Sequence, residues 1–260
     1  MNSYIFPLIL TLCAGMSTLI GGFITFFVKR DNLKALSIGL GFSAGVMVYV
    51  SLNELMAEAP NILSAFYSTT HSKALSFGGF ALGIVIAILI DYFVPDHIED
   101  DFLCTTKKHQ RQKVRRAGLI TTLAVALHNF PEGIATFLVA SQDIILGIPV
   151  AIAIAIHNIP EGIAIALPIF HSTGKKRLAI LYSFLSGISE PIGGLIGVLL
   201  LKTIMPEQAI GIMTAAVAGI MVYISFDTLL PLAREYGENH HVIIGIVSGM
   251  LIMSLGLIFL

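Results

Sequence analysis

Long apolar runs occupy most of this sequence and restrict the chain to one class of structure. A helix needs about 20 predominantly apolar residues to cross a bilayer. Hydrophobic residues make up 56% of the 260-residue chain and charged residues 12%, which leaves little sequence for a water-soluble domain. We therefore predict an all-α polytopic membrane protein in which residues 1–260 form a single transmembrane domain. The eight predicted spans cover residues 4–28, 35–56, 74–94, 117–140, 145–169, 178–201, 208–232 and 241–260.

The basic residues lie in alternate connections between these spans. All but Lys73 and Lys202 of the 15 Lys and Arg residues fall in the first, third, fifth and seventh connections, of which the longest is the predicted loop 95–116. Because positively charged connections stay on the cytoplasmic side of a membrane, we predict that these four are cytoplasmic and that both termini are extracytoplasmic. The net charge of −1, without a continuous basic face, argues against a nucleic-acid partner.

Two nearly identical octets lie inside the fourth and fifth predicted spans. Residues 128–135 read His-Asn-Phe-Pro-Glu-Gly-Ile-Ala, and residues 157–164 differ from them at one position. A carboxylate at the centre of a bilayer costs about 2.5–3.5 kcal/mol on insertion scales, so Glu132 and Glu161 each need a compensating partner. Residues three and four apart share one face of a helix. The His, Asn and Glu side chains of each octet therefore converge, and the two antiparallel spans bring the octets face to face.

The types of side chain in the octets indicate a site for a divalent metal ion. Glu190, in a Ser-Glu-Pro sequence of the sixth span, adds a third buried carboxylate. Imidazole, carboxylate and amide oxygen without thiolate suit first-row divalent ions such as Zn, Fe(II), Mn and Co. The bridging glutamates can serve two ions, one held with the histidines and the other with the asparagines and Glu190. The candidate ligands are His128, Asn129, Glu132, His157, Asn158, Glu161 and Glu190.

A second pair of similar segments indicates internal symmetry. Residues 45–53 of the second span read Gly-Val-Met-Val-Tyr-Val-Ser-Leu-Asn, and residues 219–227 of the seventh read Gly-Ile-Met-Val-Tyr-Ile-Ser-Phe-Asp. These spans cross the membrane in opposite directions. Together with the octets, they predict an inverted repeat of the 3+2+3 type, in which spans one to three correspond to spans six to eight and the fourth corresponds to the fifth.

The octets, followed by Ser-Glu-Pro-x-Gly-Gly at residues 189–194, resemble the ZIP (Zrt/Irt-like) family of metal transporters, most closely its bacterial zinc-uptake members. The resemblance covers nearly the whole chain. It implies a zinc importer of the bacterial inner membrane that tolerates other divalent metals, carries a binuclear site and forms homodimers. It also implies alternating access, with spans one, four, five and six moving against the other four. The His-rich run that many members carry between the third and fourth spans is lacking here, which puts a metal-buffering loop in doubt.

Two other functions were weighed against transport. An intramembrane metallohydrolase would use one ion to activate water and a glutamate as general base, but the chain lacks the His-Glu-x-x-His spacing and catalysis does not need duplication. A metal-gated receptor would need a soluble domain to pass on a signal. We therefore predict a transporter with no enzymatic activity and no prosthetic group, whose partners are the metal ion and the lipid bilayer.

Several polar residues outside the octets are less informative. Near the ends of spans, contact with interfacial water is favoured over a place in the metal pathway; these residues are Asn53, Glu54, Asp91 and Asp227. His97 and His109 are weak evidence for a metal-sensing loop. Cys13 and Cys104 are expected to be free thiols.

Overall fold

The computed structural model describes residues 4–93, 107–142, 144–200 and 207–258, and these ranges contain helices and no strand. Eight helical segments in them are long and apolar enough to cross a membrane. These segments, numbered below as the first to eighth spans, confirm the predicted all-α class and number of spans. They are Ile5–Phe26, Leu33–Ser64, Thr69–Phe93, Gln110–Ser141, Gly147–Thr173, Lys176–Leu199, Gln208–Tyr236 and His240–Ile258.

The structure corrects two predicted boundaries. The second span continues to Ser64 instead of ending near residue 56, because Met56–Ser64 is helical despite Glu58 and Pro60. The helix of the fourth span begins at Lys107, inside the stretch that was predicted as a loop. Lys, Arg and Gln are good helix formers, so this basic stretch extends the helix beyond its apolar part.

Three spans are interrupted within their length. The second consists of α-helices Leu33–Val50 and Met56–Ser64 joined by a π-helical turn, Ser51–Leu55. The seventh has the same design, with a π-helical turn at Ser225–Leu229 between Glu207–Ile224 and Leu230–Tyr236. In both turns the first serine donates a hydrogen bond to the carbonyl four residues earlier, Ser51 to Met47 at 2.6 Å and Ser225 to Met221 at 2.7 Å. Such side-chain bonds compete with the helical backbone ladder.

The sixth span is broken in its middle. Helix Lys176–Gly187 ends before Ile188, and helix Ser189–Leu200 begins immediately after it. Pro191 has no backbone N–H, so it cannot donate to the carbonyl of Gly187 as a regular helix would require. The break places Glu190 in the first turn of the second helix, where the partial positive charge of the helix end favours a carboxylate.

The fourth and fifth spans, which carry the octets, lie in long helices. These are Lys107–Gln142 and Ile144–Thr173, and both remain helical through the prolines of the octets. Helices Ile5–Gly22, Thr69–Phe93 and Asn239–Ile258 complete the set, the first followed by a 3-10 turn at Phe23–Phe26.

Close backbone contacts join the first, fourth, fifth and sixth spans into what we call the site bundle. Gly15 of the first span lies against Gly187 of the sixth, so that a β-carbon on either would overlap the other's backbone. Gly162 of the fifth span lies equally close to the backbone of Thr18 in the first span. Gly133 of the fourth span lies equally close to the backbone of Glu190 in the sixth. Small residues permit such approach between membrane helices.

The other four spans, the second, third, seventh and eighth, form what we call the support bundle. Gly45 of the second span lies against the backbone of Ile246 in the eighth. Gly219 of the seventh span lies against the backbone of Phe80 in the third. Ser37 of the second span also donates a hydrogen bond of 2.8 Å to the carbonyl of Ala233 in the seventh.

The two bundles meet through side chains. Gly39 of the second span faces the side chains of Leu167 and Ile163 in the fifth rather than their backbone. Ser43 donates a hydrogen bond of 2.6 Å across the same interface to the carbonyl of Pro160. Neither contact interlocks two backbones, in contrast to the glycine contacts within each bundle.

Candidate metal site

The two octets face each other and are joined by reciprocal contacts. His128 Nε2 of the fourth span lies 2.9 Å from Glu161 Oε1 of the fifth. His157 Nε2 of the fifth span lies 3.4 Å from Glu132 Oε2 of the fourth. Each imidazole is thus oriented by the carboxylate of the other octet, which offsets the cost of placing both glutamates at membrane depth.

The asparagines and Glu190 extend this pairing into the sixth span. Asn158 donates a hydrogen bond of 2.8 Å to Glu190 Oε2 and one of 3.0 Å to the carbonyl of Ala14. Asn129, with its amide nitrogen turned toward the fifth span, lies 3.2 Å from Glu161 Oε2. The seven candidate ligands therefore form three hydrogen-bonded groups: His128 and Asn129 with Glu161, His157 with Glu132, and Asn158 with Glu190.

All seven candidate ligands are buried, and several keep an atom without a hydrogen-bond partner among the described residues. Each of the seven residues is at most 6% exposed. Five of the buried atoms that could bind a metal ion lack a partner there: His128 Nδ1, Glu132 Oε1, His157 Nδ1, Asn158 Oδ1 and Glu190 Oε1. Buried polar atoms are rarely left unpaired, so these atoms are available to an ion or to ordered water.

The structure brings these residues into pairs rather than around one point. Within the described ranges, no three His, Cys, Asp or Glu side chains converge closely enough to hold an ion as they stand. An ion entering the site would have to take the place of the hydrogen bonds between imidazole and carboxylate.

A cavity of about 650 Å³ leads to this site from one end of the molecule. Its deep end is lined by Glu132 and His157, and its rim by Asn53 and Glu58, which are exposed. The rim lies opposite the end that carries the connections with Arg30, Lys175 and the start of the fourth span, which we call the basic end. Glu132 and His157 are therefore the first candidate ligands that an ion entering through the cavity would meet.

The cavity changes the assignment of two polar residues. For Asn53 and Glu54 the sequence favoured simple contact with interfacial water, yet both line the cavity wall, and Glu54 Oε2 is buried without a hydrogen-bond partner among the described residues. Both lie in the π-helical turn of the second span, a feature that often marks functional sites. The sequence signal was the repeat of this segment in the seventh span.

Two further residues are placed by the structure, and others fall outside it. Ser43, which sequence analysis missed, donates a hydrogen bond to the carbonyl of Pro160 inside the second octet. The only feature of the sequence that marked Ser43 was its polar side chain among the glycines and alanines of the second span. Asp91 is paired with Arg116. His97 and Cys104 lie outside the described residues, and Cys13 is a free, exposed thiol.

Comparison with known proteins agrees with this geometry. Residues 95–256 match the family model described as ZIP zinc transporter. The chain is 45% identical to the zinc transporter ZupT of Clostridium perfringens, over 99% of this chain and 97% of that protein. It is 46% identical to ZupT of Streptococcus mutans over 99% of both chains, and 45% identical to ZupT of Akkermansia muciniphila over 96% of both. The chain belongs to the ZIP zinc transporter family.

Proposed function

We propose that this protein imports divalent transition-metal ions, with zinc preferred, across the bacterial cytoplasmic membrane. The observation that carries the proposal is the reciprocal pairing of two buried octets at the deep end of a cavity. Buried ionisable groups inside membrane spans usually mark an ion pathway. The curated relatives are named zinc transporters, which does not favour the metallohydrolase alternative.

The proposed site holds two ions. His128, His157, Glu132 and Glu161 bind the first ion, and the second is bound by Asn129, Asn158 and Glu190 together with the two glutamates as bridges. The unpartnered nitrogen and oxygen atoms of these residues support this assignment. Because the same donor types also suit Fe(II), Mn and Co, we propose these as further substrates.

The proposed inverted repeat is supported by matching contacts. Gly133 of the fourth span packs on the sixth span, and Gly162 of the fifth packs on the first. Gly45 packs on the eighth span and Gly219 on the third. The π-helical turns follow Gly45 and Gly219 at the same spacing. These are the contacts expected when spans one to three correspond to spans six to eight and the fourth corresponds to the fifth.

Alternating access follows from this symmetry and from the two bundles. We propose that the site bundle moves against the support bundle and carries the ligands with it. With the basic end on the cytoplasmic side, as the positive-inside rule requires, the cavity faces outward and both termini are extracytoplasmic. Homodimer formation, implied by the resemblance to the family, stays a prediction.

Uptake by purified protein in liposomes tests the transport function directly. We expect saturable entry of zinc into vesicles that contain an internal zinc-sensitive dye, and no entry into vesicles without protein. A reconstituted, monodisperse protein that releases no zinc into the lumen would contradict the proposal.

Asn158→Ala tests the second ion position. Asn158 contacts Glu190 and is assigned to one ion, so we expect the variant to keep zinc uptake while the relative competition by Fe(II), Mn and Co changes several-fold. Competition curves against labelled zinc measure this change. Curves identical to those of the parent protein would count against a second ion position.

Uptake should also fall as the outside medium is acidified. A histidine must be unprotonated at the nitrogen that binds a metal, so protons compete with the ion. We expect initial rates to decrease from about pH 7.5 to about pH 5.5, a window that brackets an ordinary histidine. Rates that stay constant over this window would contradict ligation by His128 and His157.

A further inference from the structure

An arginine at the basic end joins the fourth span to the third, and with it the site bundle to the support bundle. One nitrogen of the Arg116 guanidinium lies 3.2 Å from Asp91 Oδ1. Another donates a hydrogen bond of 3.1 Å to the backbone carbonyl of Asp91. Both side chains are largely shielded, at 25% and 29% exposure. An arginine that binds a carboxylate and a carbonyl of one residue holds that helix end in a fixed position.

Two more contacts join the same face of the fourth span to the seventh. Lys113 Nζ lies 2.7 Å from Glu235 Oε2. The hydroxyl of Tyr236 donates a hydrogen bond of 3.2 Å to the carbonyl of Gln110. Each is individually weak because it is open to solvent. All of them, however, cross from the site bundle to the support bundle, and all lie at the basic end.

The opposite end of the same two spans is open. Leu138 of the fourth span and Thr214 of the seventh both line the cavity. The two spans are thus tied by side-chain contacts at the basic end, while toward the other end they contribute to the cavity lining. If the site bundle moves to open the basic end, the contacts of Arg116, Lys113 and Tyr236 must break first.

We propose that Arg116 and Lys113, with Asp91 and Glu235, form a gate that closes the basic end while the cavity is open. The gate sets the balance between the two orientations and contacts no metal ion. This inference rests on the proposed alternating-access function. The ion pairs favour the orientation seen here, and losing them favours the opposite one, because a two-state equilibrium shifts by the difference in contacts between its states.

The chain supplies a matched control in Arg30. This residue also lies at the basic end, and it donates hydrogen bonds of 3.1 Å to the carbonyl of His171 and 2.9 Å to that of Ser172. Both acceptors belong to the fifth span, and Arg30 follows the first, so the contacts stay within the site bundle. Removing them leaves the balance between the bundles unchanged.

The gate is tested by measuring the distance across the cavity in the full chain. Cys13 and Cys104 are first replaced by serine, and spin labels are attached at Leu138→Cys and Thr214→Cys. Pulsed electron paramagnetic resonance in lipid nanodiscs then measures the distance between the labels, which is long when the cavity is open and short when it is closed. We expect Arg116→Gln to raise the ratio of short to long distances about fivefold, equivalent to about 1 kcal/mol. Lys113→Gln, at an exposed position that does not endanger folding, should shift it in the same direction by a smaller amount.

The double variant Arg116→Asp with Asp91→Arg should restore the ratio of short to long distances to within about twofold of the parent value. Arg30→Gln alone should leave this ratio at the parent value. If the parent shows both distances but neither Arg116→Gln nor Lys113→Gln changes their ratio, the proposed gate is contradicted and alternating access is not. An equal shift by Arg30→Gln would also overturn the gate, since the effect would then be general. If the parent shows a single distance with and without zinc, alternating access fails and the gate fails with it.

Discussion

Glu161→Gln is expected to reduce zinc uptake by about 100-fold or more, the upper range known for groups that tune a metal site. Glu161 is fully buried and lies 2.9 Å from His128 Nε2. The amide keeps the volume and a hydrogen-bonding group but removes the negative charge that a bridging ligand needs. Uptake into liposomes, normalised to the amount of inserted protein, measures the loss. Because the octets are equivalent, Glu132→Gln should cause a loss of similar size.

Glu238→Gln is the control for this experiment, because Glu238 is an exposed glutamate in the connection before the eighth span. This variant should take up zinc at the parent rate. Loss of uptake with retained monodispersity would identify a functional role for Glu161 rather than a folding role. Uptake at the parent rate by a stably inserted Glu161→Gln protein would exclude the octets as the transport site.

Gly133→Ala should lower both stability and transport. A β-carbon at Gly133 would overlap the carbonyl of Glu190, so the fourth and sixth spans must separate and Glu190 must shift away from Asn158. Overpacking of this kind costs about 1–3 kcal/mol. We expect a lower midpoint of thermal unfolding in detergent and a loss of zinc uptake larger than the loss of folded protein explains.

Gly78→Ala provides the comparison, because no atom lies within 4 Å of a β-carbon built there. Alanine is the better helix former, so this variant should be at least as stable as the parent and should transport normally. Equal behaviour of the two alanine variants would show that the close approach of Gly133 to the sixth span has no role in the site.

The class of fold and the contact between the two octets could be predicted from the sequence. Apolar length determines which segments cross a bilayer, and spacing along a helix determines which side chains share a face. The octets therefore indicated that His128, Glu132, His157 and Glu161 belong together before any contact was known. Their equal sequences also indicated that neither octet forms a site alone.

What could not be predicted depends on contacts between distant segments. The π-helical turn at Ser51–Leu55 changes which way Asn53 and Glu54 point, and no pattern of apolar residues reveals a single extra residue in a helical turn. The pairing of Arg116 with Asp91 depends on how the third span packs against the fourth. The second span was predicted too short because the segment with Glu58 and Pro60 was taken to lie beyond its end, whereas burial of Ala59 and Leu63 keeps that segment helical.

Counterflow of zinc tests alternating access most directly. In this mechanism, one site inside the two octets is exposed to each side of the membrane in turn. Liposomes containing the protein are loaded with unlabelled zinc and diluted into a trace of labelled zinc. We expect the label to accumulate transiently above its equilibrium level, because a site that carries an unlabelled ion out returns with a labelled one. Glu161→Gln should abolish this accumulation. If the label enters the parent protein's liposomes only to its equilibrium level, without overshoot, the protein forms a continuous pore and alternating access is contradicted.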